Sequence, residues 1–413
     1  MILKTERKTL KENLEIVNKA LGKNDSEPIC THFLFRVGPD YCEILAGGKG
    51  SLCGYLKVEG LPATGVEDGK KVEFTAEGGR LMGFLGDLPD CTIDIVYDAT
   101  TKQVNLRPDT VKVNFNLVSL LPKDYPDFET DYKAAYAAGK KGDLDVEVLS
   151  EAVGFAKQFV GDNPTNPGLS LVRMRADGTL NSGDGKSIAI YKSSGFSGEF
   201  KLRQTILDGV MSFVGKSTGT LALYEGGNHY FFVNSQGFYF GFSKVGFDIP
   251  AAGVPDVFSD TAGDNIFEVD REKLAGAIKR LKWSLDSDLK RMGFKIEGDG
   301  VDATLTVTAK DTNGATSEET VSGVLRTKGS GECKFFLNYE NVFKGLGHFT
   351  KPNVHFCINS TGFHYAKMVE FTKFSDAIVA PTPAAGATTP VAPAATSDDI
   401  TRVLILSLIR KDR

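Results

Sequence analysis

The chain has 413 residues, a formal net charge of -5 at pH 7 and 41% hydrophobic residues. A chain of this length can bury a sufficient core without disulfides or a metal ion, and the composition is ordinary for a water-soluble globular protein. No run approaches the roughly 18 apolar residues of a membrane-spanning helix, which excludes an integral helical membrane protein.

The sequence repeats one pattern three times, a short strand followed by an amphipathic helix, at 2–21, 144–160 and 265–285. A second strand and helix follow each of these segments, at 70–88, 198–215 and 333–349. Each second unit continues into strands in which apolar and polar residues alternate. The NSQG (234–237) and NSTG (359–362) turns between apolar runs predict hairpins. Six such units predict an α+β fold of antiparallel sheets with one helix per half and all helices on one side.

The repeats divide the chain into three predicted domains with linkers between them. A stretch rich in Pro, Ala and Thr then predicts a further linker, and a short apolar segment follows it. The predicted boundaries are 1–130 for the first domain, 131–143 for a linker, 144–260 for the second domain, 264–382 for the third, 383–396 for the Pro/Ala/Thr linker and 397–413 for the terminal segment.

The segment 271–285 carries one apolar stripe, formed by Leu274, Ile278, Leu281 and Leu285 at helical spacing. Most of its other side chains are basic, whereas the helix near the start of the chain mixes lysines with Glu12 and Glu15. A single surface lysine is usually only solvated. Its recurrence on repeated helices indicates a surface that binds the phosphates of a polyanion without reading bases. The predicted DNA-binding residues are Arg7, Lys8, Lys11, Lys19, Arg80, Lys157, Lys201, Arg203, Lys279, Arg280, Lys282, Lys344 and Lys351.

Trp283, the single tryptophan, lies about 180° around this helix from the apolar stripe. Two interpretations are open at this point. Either the following segment SLDSDLKRMG covers the ring, or the ring is buried against another subunit.

Four short motifs, in this order, resemble those of the bacterial-type β sliding clamp, the processivity factor of replicative DNA polymerase. They are SEPICTHFLFRV (26–37), SLLPKDYPDF (119–128), SGDGKSIAI (182–190) and FSKVGFDIPAAGVPDVF (242–258). The resemblance covers residues 1 to about 382, and Cys30, Thr31 and His32 depart from the family pattern.

The resemblance implies three tandem clamp domains, each made of two halves with antiparallel sheets outside and two helices inside. Two chains would close head to tail into a ring around duplex DNA, with the basic helices lining the hole. Such a clamp tethers a replicative polymerase, is loaded by a clamp loader, and needs no cofactor. The six scattered cysteines and the absence of a signal-type start predict free thiols and a cytoplasmic protein, from a bacterium or from a phage in its host.

The resemblance also implies a pocket for partner peptides between the second and third domains. Lys186 and Ser187 replace the family's His-Arg pair, and the Asp184-Gly185 pair is equally typical of a simple turn. The pocket residues carried over are Asp184, Gly185, Lys186, Ser187, Ile188, Pro255, Ile378, Val379, Ala380 and Pro381.

The chain continues past the position where family members end. Ser397 or Asp398 can cap a short helix, and Arg410, Lys411 and Arg413 suit its C-terminal end. We expect this apolar segment to dock, either into the chain's own peptide pocket or onto a partner. An incidental disordered extension is the alternative.

No motif for catalysis is found: the five histidines form no HExxH pattern, and neither a P-loop nor a nucleophile elbow occurs. The rival to a clamp is therefore another non-enzymatic class, a structural or adhesion protein of a virion or surface assembly. Salt-sensitive binding to DNA distinguishes the two classes.

Overall fold

The computed structural model describes residues 1–22, 27–48, 52–162, 165–247, 264–285, 290–328, 333–359, 365–371 and 400–407. Within these ranges the protein has the predicted α+β architecture, with long antiparallel sheets and short helices. The α-helices are α1 (Arg7–Val17), α2 (Gly78–Asp87), α3 (Glu129–Ala137), α4 (Val146–Lys157), α5 (Leu207–Gly215), α6 (Arg271–Leu281) and α7 (Tyr339–His348).

The strands fall into two groups along the chain. The strands before α5 are β1 (Ile2–Glu6), β2 (His32–Val37), β3 (Tyr41–Gly47), β4 (Leu52–Glu59), β5 (Ala63–Thr64), β6 (Val72–Glu77), β7 (Thr92–Asp98), β8 (Gln103–Pro108), β9 (Phe115–Val118), β10 (Gly142–Asp145), β11 (Leu171–Met174), β12 (Thr179–Gly183), β13 (Ser187–Lys192) and β14 (Phe200–Arg203). Those after it are β15 (Thr220–Gly226), β16 (His229–Val233), β17 (Tyr239–Ser243), β18 (Asp264–Asp270), β19 (Arg291–Glu297), β20 (Thr304–Lys310), β21 (Thr316–Thr327), β22 (Cys333–Asn338), β23 (Asn353–Asn359), β24 (Tyr365–Phe371) and β25 (Ile400–Ser407).

The six predicted strand–helix units are confirmed. They are β1–α1, β6–α2, β10–α4, β14–α5, β18–α6 and β22–α7, and in each the helix follows its strand directly or after one 3₁₀ turn. Local capping explains two of these junctions. Asp270 accepts a hydrogen bond from the Lys273 amide (2.8 Å), and Asn338 accepts one from the Glu340 amide (2.9 Å), which satisfies amides that the first helical turn leaves free.

The described chain divides into two compact units. The first comprises Met1–Glu151, Arg175–Asp177 and Gly195–Gly246, and the second Ala152–Met174, Gly178–Ser194 and Phe247–Arg413. The predicted three domains divide the chain at other residues, and the two compact units do not test that prediction.

Two antiparallel sheets build the first unit, in the orders β5-β1-β7-β8-β9 and β10-β15-β16-β17-β4-β3-β2-β6. The larger sheet joins strands from distant parts of the chain where β17 pairs with β4, with Gly241 opposite Cys53. A Cβ atom on Gly241 would lie only 2.4 Å from the Cys53 sulfur, so this junction requires glycine.

Helix α3 overlaps the predicted linker 131–143. It packs on β15 and β16, and its Tyr132 ring stacks on Tyr239 with centroids 4.2 Å apart. An ion pair and a hydrogen bond hold it: Arg36 lies 2.6 Å from Glu129, and the His229 Nδ1 lies 2.7 Å from the Asp131 carboxylate. Residues 131–143 are thus mostly a packed helix and the start of β10 rather than a free connection.

The second unit contains a sheet in which β11, β12, β13, β25, β24, β23, β18, β21, β20, β19 and β22 follow one another.

Both predicted hairpins are confirmed, since β16 pairs with β17 and β23 with β24. In the first hairpin, the Asn234 side chain accepts hydrogen bonds from the amides of Gln236 and Phe238, both 3.0 Å.

The predicted C-terminal helix is wrong, because residues Ile400–Ser407 form strand β25. It lies between β13 and β24 and pairs antiparallel with both. The side chains of Val403, Leu404, Ile405 and Leu406 are all buried. An apolar run that covers more than one face suits a central strand, which is buried on both sides, better than a short surface helix.

All six cysteines are free and buried, which confirms the prediction of free thiols. Burial raises the pKa of the Cys42 and Cys333 thiols to about 12. These side chains therefore act as small apolar core residues rather than as reactive thiolates.

Candidate nucleic-acid interface

Several helices pack side by side within each unit. In the first unit α1 contacts α2 and α5, and in the second unit α6 contacts α7. Because each helix follows a strand and buries one stripe against its sheet, its remaining sides are available for charged residues.

Helix α6 carries the most basic of these surfaces. It buries Leu274, Ala277, Ile278 and Leu281, which confirms the predicted stripe up to Leu281. The exposed residues of this helix are Glu272, Lys273, Lys279 and Arg280. One acidic residue therefore stands among three basic ones.

The other predicted DNA-binding residues differ in exposure. Within the described residues, Lys8, Lys19, Arg80, Lys157, Arg203, Lys344 and Lys351 are exposed, whereas Arg7, Lys11, Lys201 and Lys282 are half-buried. The structure thus brings Lys8, Lys11 and Arg80 onto the neighbouring helices α1 and α2, and Lys279, Arg280 and Lys344 onto α6 and α7. Lys201 and Arg203 belong to a strand, β14, and not to a helix.

Three of the predicted arginines already interact with the protein. Arg7 lies 2.5 Å from Asp90, and the Arg280 Nε lies 3.0 Å from Glu319, which raises the pKa of Arg280. Arg80 lies over the Phe115 ring, 5.7 Å from its centroid. The ion pairs of Arg7 and Arg280 are weak and exchange readily for a phosphate. They therefore lower the local positive potential without removing it.

Trp283 follows α6 and is 82% exposed. The Lys282 ammonium lies 4.7 Å from the centre of the indole ring. The described residues of the following segment, 284–285 and 290–293, therefore do not cover the ring, and residues 286–289 lie outside the described residues. A large aromatic side chain this exposed is a common mark of a binding surface.

Of the candidate peptide-binding residues, Asp184, Gly185 and Lys186 form the tight turn between β12 and β13, and Ser187 and Ile188 begin β13. The Asp184 carboxylate accepts hydrogen bonds from the Lys186 amide (2.8 Å) and the Ser187 amide (2.6 Å), and Gly185 has a φ of +85°. The turn is thus built locally, as its sequence also indicated. The buried Ser187 hydroxyl accepts a hydrogen bond from Asn341 of α7 (2.6 Å).

Strand β25 runs directly beside this turn, and the sequence did not predict this pairing. Ser187 pairs with Leu406 and Ile188 with Ile405. The signal was present, since VLILSLI (403–409) is rich in residues that favour strands. The other carried-over pocket residues, Pro255, Ile378, Val379, Ala380 and Pro381, lie outside the described residues.

Two features are absent from the described residues. No helix there is long and apolar enough to cross a membrane. No group of three or more His, Cys, Asp or Glu side chains lies together there in a way that could hold a metal ion.

Comparisons with known proteins identify the fold. No protein-family model and no curated protein matches the sequence. A solved DNA polymerase sliding clamp from Bacillus subtilis is 12% identical with a TM-score of 0.77, and the similarity covers 100% of this chain and 99% of that one. The clamp from Pseudomonas aeruginosa is 16% identical with a TM-score of 0.75, covering 99% and 100%, and that from Caulobacter crescentus is 14% identical with a TM-score of 0.72, covering 99% and 100%. The predicted sliding-clamp fold is therefore confirmed for the described residues.

Proposed function

We propose that this chain is a DNA sliding clamp that encircles duplex DNA and tethers a replicative polymerase, without catalysing a reaction itself. The observation that carries this proposal is the similarity in fold to bacterial clamps over 99% of this chain and 100% of the Pseudomonas aeruginosa clamp. A match of that extent covers every strand–helix unit of the repeat, not one domain grafted onto another protein. The division into domains 1–130, 144–260 and 264–382 belongs to this proposal.

The charge distribution supports it. The chain has a net charge of -5, yet α6 exposes Lys273, Lys279 and Arg280. An acidic protein with a basic helix attracts DNA at that helix and discourages binding elsewhere. Lysines and arginines that contact only phosphates leave the energy almost flat along the duplex, which is what sliding requires.

A head-to-tail ring joins two different surfaces of the same chain, and the structure offers an exposed apolar residue on each unit. On the second unit it is Trp283, and on the first it is Val118, which is 63% exposed on β9 at the end of the five-strand order. In our proposal, the Trp283 of one copy packs against the β9 edge of the other. Edge strands with exposed apolar side chains are natural sites for pairing with a second chain.

Sedimentation of single variants tests this dimer. We expect Trp283→Glu and Val118→Glu each to shift the protein to monomer, because each places a charge in the contact. Val301→Glu is the matched control, since Val301 is also an exposed apolar residue (61%) and lies in neither surface. Dimers that persist in both variants, or monomers in the control as well, contradict the proposed contact.

For partners, we propose that the turn Asp184–Ile188 and the adjacent strand β25 contribute to the site for polymerase and clamp-loader peptides. Ile188 is half-buried on β13 beside β25, so a peptide can cover it without unfolding the strand.

The six free thiols agree with a reducing compartment. We therefore propose that the protein is located in the cytoplasm of a bacterium or of a phage host.

DNA binding at several salt concentrations separates this function from a structural or adhesion protein. For a clamp, we expect contact with linear duplex that does not depend on sequence and that weakens steeply between about 50 and 200 mM salt, because phosphate contacts release counterions. An assembly protein of the rival class ignores DNA at every salt concentration.

A further inference from the structure

The sequence of strand β25 does not by itself fix which of its residues pair with which residues of the neighbouring strands. Residues 403–406 are all apolar and all buried, so shifting the strand along its neighbours replaces one apolar side chain with another. In most strands the alternation of apolar and polar residues fixes the register, and this strand lacks that alternation. Some other interaction must select the observed pairing.

Arg402 is the one charged residue in Ile400–Ser407, and only 1% of its side chain is exposed. In the observed register it stands opposite Glu370 of β24 on one side and opposite Tyr191 of β13 on the other. Its Nη1 lies 3.1 Å from the Glu370 carboxylate and donates to the His348 carbonyl (2.6 Å), and its guanidinium lies 5.5 Å from the centre of the Tyr191 ring. One side chain therefore contacts both neighbouring strands and the end of α7.

Glu370 is equally buried, with 1% of its side chain exposed. Its second oxygen accepts hydrogen bonds from the Thr350 amide (2.6 Å), the Thr350 hydroxyl (3.1 Å) and the Lys351 amide. The carboxylate is thus fixed by the turn that follows α7 and cannot move with β25. A slip of two residues, about 7 Å, would leave it facing an apolar side chain, with both charges buried and unpaired.

We propose that the Arg402–Glu370 pair is a register lock, which selects one pairing of an otherwise ambiguous C-terminal strand. The lock sets which residues of β25 stand beside Ser187 and Ile188. Insofar as that region binds partner peptides, a consequence that rests on the proposed function, Arg402 and Glu370 are positioning residues for the site.

Cross-strand disulfides report the register directly and need neither DNA nor a polymerase. In the observed register Ile188 stands opposite Ile405 and Ile190 opposite Val403. Cysteine pairs at 188/405 and 190/403 therefore report the native register, and pairs at 188/403 and 190/405 report slips of two residues in either direction. All are made with Cys357→Val, because Cys357 belongs to the same apolar cluster.

The test variant combines Glu370→Gln with Arg402→Met. The glutamine side chain retains an acceptor for the Thr350 and Lys351 amides, and replacing a buried ion pair by neutral side chains of similar volume often leaves a protein folded. We expect the yield of slipped disulfides to rise about tenfold over the parent, because nothing then distinguishes the registers. The matched control is Glu268→Gln with Arg326→Met, which removes a half-buried pair from β18 and β21, strands that do not pair with β25. It should give native disulfides only.

A folded test variant that forms only the native disulfides overturns the proposal, as does a control that slips equally. Arg402→Lys supplies an independent test should the double variant not fold, since it keeps a cation opposite Glu370. It should retain the native disulfides, and slipped disulfides in it also overturn the lock. A slipped register with unchanged peptide binding would count against the proposed peptide site and leave the lock intact.

Discussion

Helices α1 and α6 occupy equivalent places in the repeat but present different surfaces. Each follows a strand and buries one stripe, with Leu14 and Leu274 both fully buried. On their exposed sides, α1 mixes Lys8 with Glu12, whereas α6 has three exposed basic residues and one acid. Burial therefore preserves the repeated core, whereas the charge varies freely on the surface. The attraction for DNA should therefore be concentrated on α6.

The largest expected effect tests whether the two cores are equivalent. We expect Leu14→Ala and Leu274→Ala each to lower the free energy of unfolding of its own unit by about 4 kcal/mol, since each leaves a cavity in a packed core. Urea unfolding followed by hydrogen exchange assigns the loss to a unit. Lys279→Ala is the surface control and should change stability by less than about 0.5 kcal/mol. Unequal losses would break the equivalence.

Acid should distinguish the strands that lead into these helices. On β18, Glu268 lies close to His355 and Arg326, which lower its pKa to about 2, whereas Glu6 on β1 is exposed. The folded state favours the carboxylate, so this stability is complete above the ordinary pKa of 4.5 and is lost as the pH falls towards 2.

From pH 5 to 2 we expect the wild type to lose about 3 kcal/mol more stability than Glu268→Gln, which cannot titrate at this position. Urea unfolding at each pH measures the difference. Glu6→Gln is the matched control and should follow the wild type. Parallel curves for the wild type and Glu268→Gln would show that the cluster does not stabilise the fold through its charge.

Charge reversal tests the surfaces themselves. Lys279→Glu with Lys282→Glu should weaken binding to linear duplex at low salt by about tenfold or more and reduce the salt slope by about 2. Lys8→Glu with Lys11→Glu should have a smaller effect, because α1 already carries Glu12 and Glu15. Fluorescence anisotropy measures both. Equal losses would mean that α1 contributes as much as α6.

The smallest expected effect concerns Arg280. Glu319→Gln removes its acidic partner and should strengthen DNA binding by about twofold, since an exposed ion pair is worth less than about 1 kcal/mol. Glu318→Gln, the exposed neighbouring acid on the same strand, is the control for net charge. An identical gain in both variants would assign the effect to net charge alone.

The sequence predicted the repeated parts of the fold because their signals are local. A stripe such as Leu274, Ile278 and Leu281 marks a helix without knowledge of the rest of the chain. The turns of both hairpins were equally readable. Their pairing needs only a few intervening residues.

The elements it missed depend on distant partners. Helix α3 shows little amphipathic pattern, and its position depends on Arg36 and on Gly226, where a Cβ would lie 2.6 Å from Ala135. Strand β25 depends on β13, which lies more than two hundred residues earlier in the chain. Ser397 and Asp398 offered a local helix cap, and no local signal outweighed it. The exposure of Trp283 likewise became visible only in three dimensions.

Retention on DNA circles tests the clamp most directly. The protein is loaded onto circular plasmid, washed in high salt, and half of the sample is then linearised. We expect the protein to remain on the circles and to be lost from the cut DNA, because a closed ring is held by topology even when salt screens its lysines. Equal loss from circular and linear DNA, by a protein that sediments as a dimer and has been given a competent loader, would contradict the claim that this chain encircles DNA.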